Sequence, residues 1–352
     1  LVVYLFLIPY FSNWQAAAVV ILLISLAIAL ASSSWKTRAT GFFVCLLALS
    51  LWLFDFPSQK VTWQPFELLA SRDSIYSRLQ VIKSEEQYSF YSNSLLVFNY
   101  PDPQLAEDSV CFSVLQRPRA KNILLIGGGL NGSLELLLAR PEIEIDYVEL
   151  DPGIIELTRH YLSPAAAVLT DPRLASYIED GRHFIRRTDH SYQIIICNLP
   201  EPSSAQINRF YTVEFFALVK EKLLPDGVFS FIVPSSENYI SSEQAELLAS
   251  LYYSLKSIFP IVTVIPGDSN IFLASDGPID DSYEILSQRW QQAELKTVFF
   301  RPELLRSRLN PAKKQYLMDS ILAVERPRLN YDNHPVSYFF SAVLWSKQFR
   351  GP

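Results

Sequence analysis

The chain has 352 residues, 49% hydrophobic and 19% charged, with 30 lysines and arginines against 36 aspartates and glutamates. The apolar excess is concentrated at the front: residues 1–54 carry only Lys36 and Arg38, so the remaining 298 residues hold 28 basic and 36 acidic groups. A net charge of −8 on that larger part argues against nucleic acid as a partner, and its charge density of about 21% is that of an ordinary globular domain joined to a membrane segment.

Between residues 16 and 31 only Ser25 is polar, and Trp14 and Trp35 bracket the run 21 residues apart. About 20 helical residues cross the ~30 Å hydrocarbon core, and tryptophan favours its two boundaries, so a spanning helix is expected here. Residues 1–11 read as the tail of an earlier span and residues 41–54 as a short third run, whose alternative is a buried or re-entrant helix. Two to three transmembrane helices are therefore expected in residues 1–54, and the start at Leu1 leads us to expect that the segment is truncated at its N-terminus. No charged segment precedes the first run, which argues against a cleavable signal peptide. Lys36 and Arg38 vote for a cytoplasmic loop between the second and third runs, hence for a soluble part on the far side.

Residues 55–120 mix proline, serine and aromatics, with apolar stretches at 88–91 and 95–98 around Ser92-Asn93-Ser94, and read as a linker and small β-hairpin region. A regular rhythm occupies 121–300: strands at 122–126, 145–150, 175–178, 192–197, 228–233 and 261–265, with helical patterns between them, beginning at 133–139 and 153–162. Alternation of this kind predicts an α/β domain, a doubly wound and mostly parallel sheet buried on both faces. Residues 271–274, behind Pro266-Gly267, read as an antiparallel edge strand. Residues 301–352 form a C-terminal helical, membrane-proximal extension, its aromatic end at 338–349 expected on the membrane surface or against the front helices. Cys45, Cys111 and Cys197 have neither disulfide nor zinc spacing and fit a reducing compartment.

Three stretches carry chemistry. Ile126-Gly127-Gly128-Gly129-Leu130-Asn131-Gly132 follows a strand and precedes a helix; Gly127, Gly129 and Gly132 satisfy GxGxxG, and Glu149 stands 17 residues beyond at the end of the next strand. Glycines allow a tight turn and close approach to a ligand, and an acidic side chain in that place accepts from both ribose hydroxyls. This implies an adenosine-type nucleoside and leaves NAD, FAD and S-adenosylmethionine open. Glu179-Asp180-Gly181 follows the third strand, where Asp180 would accept from an exocyclic amine and Gly181 admit a flat ring; a bare turn is the bland alternative. Asn198-Leu199-Pro200-Glu201-Pro202 leaves the fourth strand, beside the crevice where open α/β sheets bind ligands, with prolines stiffening the loop around Glu201. His160, His183, His190 and His334 lack paired ligand spacing, so no metal is expected; Tyr211 fits a pocket wall or core packing, and residues 235–238 fit polar contacts or a solvated loop.

Together, Leu124-Leu125-Ile126-Gly127-Gly128-Gly129, Tyr147-Val148-Glu149-Leu150-Asp151-Pro152, Asp171-Pro172-Arg173, Glu179-Asp180-Gly181 and Asn198-Leu199-Pro200-Glu201-Pro202, followed by Phe210-Tyr211-Thr212 and Glu214-Phe215-Phe216, resemble the spermidine synthase (polyamine aminopropyltransferase) family. The likeness runs from about residue 76 to 275, with a weaker echo at 329–345, and is nearest the bacterial membrane-fused branch. It implies a Rossmann-like fold of the S-adenosylmethionine-methyltransferase type. Decarboxylated S-adenosylmethionine would be the substrate and methylthioadenosine the product, with an amine acceptor and no metal. Gly127, Gly128, Gly129, Gly132, Glu149, Asp180 and Gly181 would hold the nucleoside. The amine half departs from the family: its aspartate after the triple glycine is Leu130, its catalytic aspartate is Asn198, the next aspartate is Glu201, the pocket glutamine is Ser77, and the Tyr-His or Tyr-Gln pair is Val110-Cys111.

Each departure removes a charge, a hydrogen-bonding group or the proton acceptor, and base assistance alone is worth about 10²- to 10⁴-fold. The leading expectation is a membrane-anchored spermidine-synthase-like nucleoside binder with a degenerate amine site. The alternatives are an inactive structural or regulatory subunit of a membrane complex, then a methyltransferase. The expected location is the bacterial inner membrane, multi-pass, with a cytoplasmic soluble domain because the nucleoside is cytosolic, against the vote of Lys36 and Arg38.

Overall fold

The computed structural model describes residues 12–293 and 295–348, so the expected span at 1–11 lies outside the described residues. The chain divides into two compact units, one holding residues up to 101 together with 151–161, the other 102–150 and the chain from 162 onward.

In the first unit, α1 (Asn13–Ala31) starts at a capping box in which Ser12 accepts from the Gln15 backbone and the Gln15 side chain accepts from the Ser12 backbone. Helix α2 (Trp35–Thr62) runs back along it, and both are long and apolar enough to cross a membrane by length and composition. The apolar run at 41–54 is therefore the middle of one 28-residue helix that continues past residue 54. Small residues form the seam: a Cβ on Gly41 would lie 3.2 Å from the Ser25 carbonyl oxygen and 3.3 Å from Ala29 Cβ, while Ala18 and Ala48 are buried. The outer faces leave Leu30 76% and Trp35 74% exposed. Asp55 is buried at the seam's end, accepting from Ser12 Oγ and from Gln59 Nε2 at 2.8 Å.

The region read as a hairpin is a four-stranded antiparallel sheet in sequence order, β1 (Glu67–Asp73), β2 (Arg78–Ser84), β3 (Gln87–Ser92) and β4 (Leu95–Tyr100). Asn93 and Ser94 both take positive φ, 50° and 65°, which gives the β3–β4 turn the twist a tight hairpin requires.

The second unit begins with α3 (Pro103–Gln116), buried from Ala106 to Gln116. Then come β5 (Asn122–Ile126), α4 (Ser133–Leu138) and β6 (Glu144–Glu149); α5 (Pro152–Tyr161) belongs to the first unit, where Tyr161 donates to the Leu69 carbonyl at 3.2 Å. The second unit continues with α6 (Ser163–Val168), β7 (Leu174–Ile178), α7 (Gly181–Arg187), β8 (Tyr192–Cys197), α8 (Ala205–Asn208), α9 (Val213–Lys222), β9 (Leu223–Pro234), α10 (Ser242–Lys256), β10 (Ile261–Ile265) and β11 (Ser269–Ser275). The sheet order is β10-β11-β9-β8-β5-β6-β7, parallel from β7 through β9 and antiparallel at β11. The strand at 271–274 is thus antiparallel but interior: β11 pairs with both β9 and β10, and β10 forms the edge.

One face of the sheet packs an aromatic core of Tyr211, Phe215, Phe216, Phe229, Phe231 and Phe272, with Phe231 and Phe272 stacked 4.9 Å apart. The chain ends in α11 (Tyr283–Gln292), α12 (Pro302–Arg308), α13 (Pro311–Leu322) and α14 (Val336–Gln348). Within this unit α14 packs against α10, burying Val336 and Phe340. Before it, Asn330 is fully buried, donating to Asn208 Oδ1 at 3.1 Å and the Tyr211 carbonyl at 2.8 Å and accepting from the Ser337 backbone at 3.2 Å.

Candidate active site

The parallel strands β5, β6, β7 and β8 deliver the glycine loop, Glu149, Asp180-Gly181 and Asn198 to one end of the sheet, because each motif sits at the carboxyl end of its strand. Register fixes their neighbourhood: Ile126 stands beside Val148 on one side and Cys197 on the other.

Gly127, Gly128 and Gly132 take φ of +67°, +59° and +117°, which side chains resist. Packing adds a second reason. A Cβ on Gly127 would fall 2.4 Å from Leu199 Cδ2, and one on Gly128 2.3 Å from the Asn198 carbonyl oxygen; on Gly129 it would meet Tyr147 Cε2 at 2.8 Å. The triple glycine therefore lets the loop lie against the segment leaving β8. Past the loop, Asn131 Oδ1 accepts from the Ser133 backbone at 3.0 Å and Ser133 Oγ at 2.7 Å, so the first donor of the six-residue α4 is already paired.

Glu149 is 9% exposed and held at both oxygens, by the Leu150 backbone at 2.8 Å and by the Tyr147 hydroxyl at 3.0 Å. Burial, with the Glu149 charge added, pushes the Tyr147 phenol well above its usual range, so it stays a donor. Tyr147 was legible in principle: it lies two residues before Glu149, on the same face of the strand.

Asp180 caps α7, its Oδ1 accepting from the backbones of Arg182 at 3.1 Å and His183 at 3.0 Å, while Oδ2 pairs with the Arg209 guanidinium. A Cβ on Gly181 would lie 2.6 Å from Ile126 Cγ2 and 3.1 Å from Phe210 Cε1, so the glycine lets α7 begin flush against β5. Sequence reasoning gave no hint of Arg209, which reaches Asp180 from the connection after α8.

Asn198 is a brace. Its amide nitrogen donates to the Gly128 carbonyl at 2.9 Å and its oxygen accepts from Ser109 Oγ at 3.2 Å, while its backbone N–H donates to Ile126. Three residues on, Glu201 is half-buried, and burial alone raises its carboxyl above the ordinary glutamate value. The Tyr211 hydroxyl lies 3.0 Å from the Leu199 carbonyl and 2.8 Å from that of Pro200; it is fully buried and close enough to feel the charge of Glu201. Tyr211 therefore anchors the loop from within the core. Leu130 is buried, as are Val110 and Cys111 on α3, where burial drives the Cys111 thiol well up. Ser77 belongs to the other unit, near Asp151 Oδ2 at 3.5 Å. Among the described residues no three His, Cys, Asp or Glu side chains converge as a metal centre requires. His190 instead sits at the opposite end of the strands, its Nδ1 2.8 Å from Asp146.

A spermine/spermidine synthase domain model matches residues 106–270. A polyamine aminopropyltransferase of Clostridium perfringens is 28% identical over 267 residues, covering 73% of this chain and 93% of the relative. Another, from Alkaliphilus oremlandii, is 27% identical over 67% of this chain and 85% of its own length. Among solved structures, a spermidine synthase in complex with the transition state analogue AdoDATO superposes with a TM-score of 0.62 at 20% identity, over 73% of this chain and 89% of that one. The Thermotoga maritima spermidine synthase gives 0.60 at 20% identity, over 72% and 87%. These structures show the shared fold.

Proposed function

The chain belongs to the spermine/spermidine synthase family, and from that premise we propose that it binds decarboxylated S-adenosylmethionine at the carboxyl ends of β5–β8 and transfers the aminopropyl group to a small amine, with Glu201 as proton acceptor. The observation that carries this reading is Glu201 itself, a half-buried carboxyl on the loop leaving β8 whose proton affinity burial has raised. An acceptor amine with a pKa near ~10 must lose a proton to attack, and a base poised closer to neutrality than an exposed glutamate suits that task. The amine nitrogen forms a bond to the propyl carbon next to the sulfonium as the carbon–sulfur bond breaks. Its electron pair returns to sulfur as methylthioadenosine leaves, and the amine proton passes to Glu201 and then to water. Glu149 accepts from the ribose hydroxyls and Asp180 from the base. Asn198, which takes no proton at any pH, keeps the glycine loop in place.

The test is release of methylthioadenosine from decarboxylated S-adenosylmethionine and putrescine. Product is expected, and Glu201→Gln should lower the rate at least about 100-fold. One observation favours a second reading, a noncatalytic subunit of a membrane assembly: both the nitrogen and the oxygen of the Asn198 amide are engaged as a brace. Binding of methylthioadenosine without turnover would select that reading, and tighter binding of intact than of decarboxylated S-adenosylmethionine would select methyl transfer.

We also propose that α1 and α2 anchor the protein in a membrane, supported by their small-residue seam and exposed apolar outer faces. The protein should float with lipid vesicles and resist alkaline carbonate extraction; release into the carbonate supernatant would refute the anchor.

A further inference from the structure

The chain between α11 and α12 is held by a carboxylate from α3. Glu107, 3% exposed, accepts from the backbone N–H groups of Val298, Phe299 and Phe300 at 2.6, 2.8 and 2.6 Å. Three successive donors converging on one anion fix the backbone, and with it the direction of each side chain. Phe300 turns inward, fully buried and edge-on to Phe112 with ring centres 4.9 Å apart. Val298 and Phe299 turn outward and are 53% and 49% exposed.

Two exposed apolar side chains alone would be ordinary surface. Their charge setting is not ordinary: in a chain of net charge −6, residues 296–314 carry six basic side chains and one acidic, Glu303. Arg308 is paired with Asp108, Lys313 with Glu237 and Lys314 with Asp281. Lys296, Arg301 and Arg306 are exposed and form no ion pair among the described residues. Lys296 and Arg301 stand on either side of the Val298-Phe299 tip in sequence.

We propose that residues 296–301 are a contact finger for an anionic lipid surface, with Val298 and Phe299 entering the headgroup layer and Lys296 and Arg301 meeting lipid phosphates. Long basic stems keep their charge at the headgroups while an apolar neighbour goes deeper. Screening limits the field to about 8 Å at physiological ionic strength, so these local cations, not the acidic chain as a whole, govern the approach. An acidic protein would answer the same charges, but the apolar part is a two-residue tip, and a fluid layer closes around a tip where a folded surface needs a matching pocket. The inference stands apart from the catalytic reading, and it concerns a different unit from the one that holds α1 and α2.

The full chain, reconstituted in phosphatidylcholine vesicles with or without phosphatidylglycerol, tests it. Cys111 and Cys197 are buried, so in a Cys45→Ser background a polarity-sensitive fluorophore goes on Phe299→Cys or, as a control in the same unit, on Glu142→Cys. Both substitutions leave the backbone N–H groups that Glu107 holds. With phosphatidylglycerol the label at 299 should shift to the blue and be quenched by doxyl-labelled lipid, while that at 142 should do neither. Adding Lys296→Glu and Arg301→Glu should cut the quenched population at least about tenfold with circular dichroism unchanged. Emission at 299 matching that at 142 would overturn the inference. So would quenching that needs no phosphatidylglycerol and survives the charge reversals, or shielding that grows with protein rather than lipid concentration, as a second copy would give. Carbonate extraction reads the anchor separately: a resistant chain with residue 299 unquenched keeps the anchor and loses the finger, and a released chain whose residue 299 was quenched on intact vesicles does the reverse.

Discussion

Replacing Asn198 by aspartate would supply the carboxylate the family resemblance expects, at the expense of the brace described here. The amide nitrogen donates to the Gly128 carbonyl at 2.9 Å and the amide oxygen accepts from Ser109 at 3.2 Å. A carboxylate keeps and strengthens the Ser109 contact by about 1 kcal/mol, but sets an oxygen against the Gly128 oxygen. One net hydrogen bond, about 1 kcal/mol, disappears, and a partly buried carbonyl is left unpaired for about 2 kcal/mol more. The loop has little freedom to retreat, because Gly128 holds a left-handed φ of +59° directly over residue 198. N198D should therefore lose about 2 kcal/mol of stability near neutral pH. The introduced carboxyl, facing a carbonyl, has a folded pKa above its unfolded value. Its protonated form donates to Gly128, so the penalty is fully present above the folded pKa and shrinks as pH falls through it, toward ~5. Urea melts followed by circular dichroism at ~pH 7.5 and ~pH 5 measure both effects. A variant as stable as the parent at the higher pH, or a penalty identical at both, would show that Asn198 is not a brace.

Glu201→Gln should stabilise the protein above neutrality: burial raises the folded pKa of Glu201, so the wild-type carboxyl favours folding only while protonated and loses that advantage as pH rises through the raised value. The two proteins should converge below ~pH 4.3 in the same melts, and equal stability at all pH would contradict the burial of Glu201. Tyr147→Phe removes the hydroxyl that orients Glu149; calorimetry should record methylthioadenosine binding about three- to tenfold weaker, and unchanged affinity would make the contact irrelevant to ribose. Glu107 accepts from the backbones of Val298, Phe299 and Phe300 at 2.6, 2.8 and 2.6 Å while 3% exposed. Glu107→Ala should lose about 3 kcal/mol or more and open that segment to proteases, and a protease-resistant variant would argue against the contact.

The parts of the fold that could be read from sequence were those with local signatures. Strands of five or six residues that end at or run into the glycine loop, Glu149, Glu179-Asp180-Gly181 and Asn198 announced β5 to β8, and Ser92-Asn93-Ser94 announced a turn whose positive φ values the structure contains. What stayed hidden depended on partners far along the chain. Helix α3 carries Glu107, Asp108, Ser109, Ser113 and Gln116, which look like a solvated face; each is buried because it meets residues 298–300, Arg308, Asn198, Ser230 and Asp280 respectively. Sheet order is likewise absent from strand patterns, so nothing local placed β11 inside β10. In the site, the glycine loop, Glu149 and Asp180 were visible as motifs. Arg209 and Ser109 were not, since an arginine beside a phenylalanine and a serine in a helix carry no spacing that marks them.

The clasp formed by Arg182 and Asp332 joins residues 150 positions apart, and Asn330 bonds to residues 119 and 122 positions earlier. During synthesis at about 5–20 residues per second, the start of α7 therefore waits about 8–30 s for its acidic partner. For that interval Arg182, later 5% exposed, is a cation without its acidic partner beside an unfinished wall. The packing behind the start of α7 is thus completed from the C-terminal side, and a ribosome-bound chain that has exposed every glycine of the loop still lacks that support.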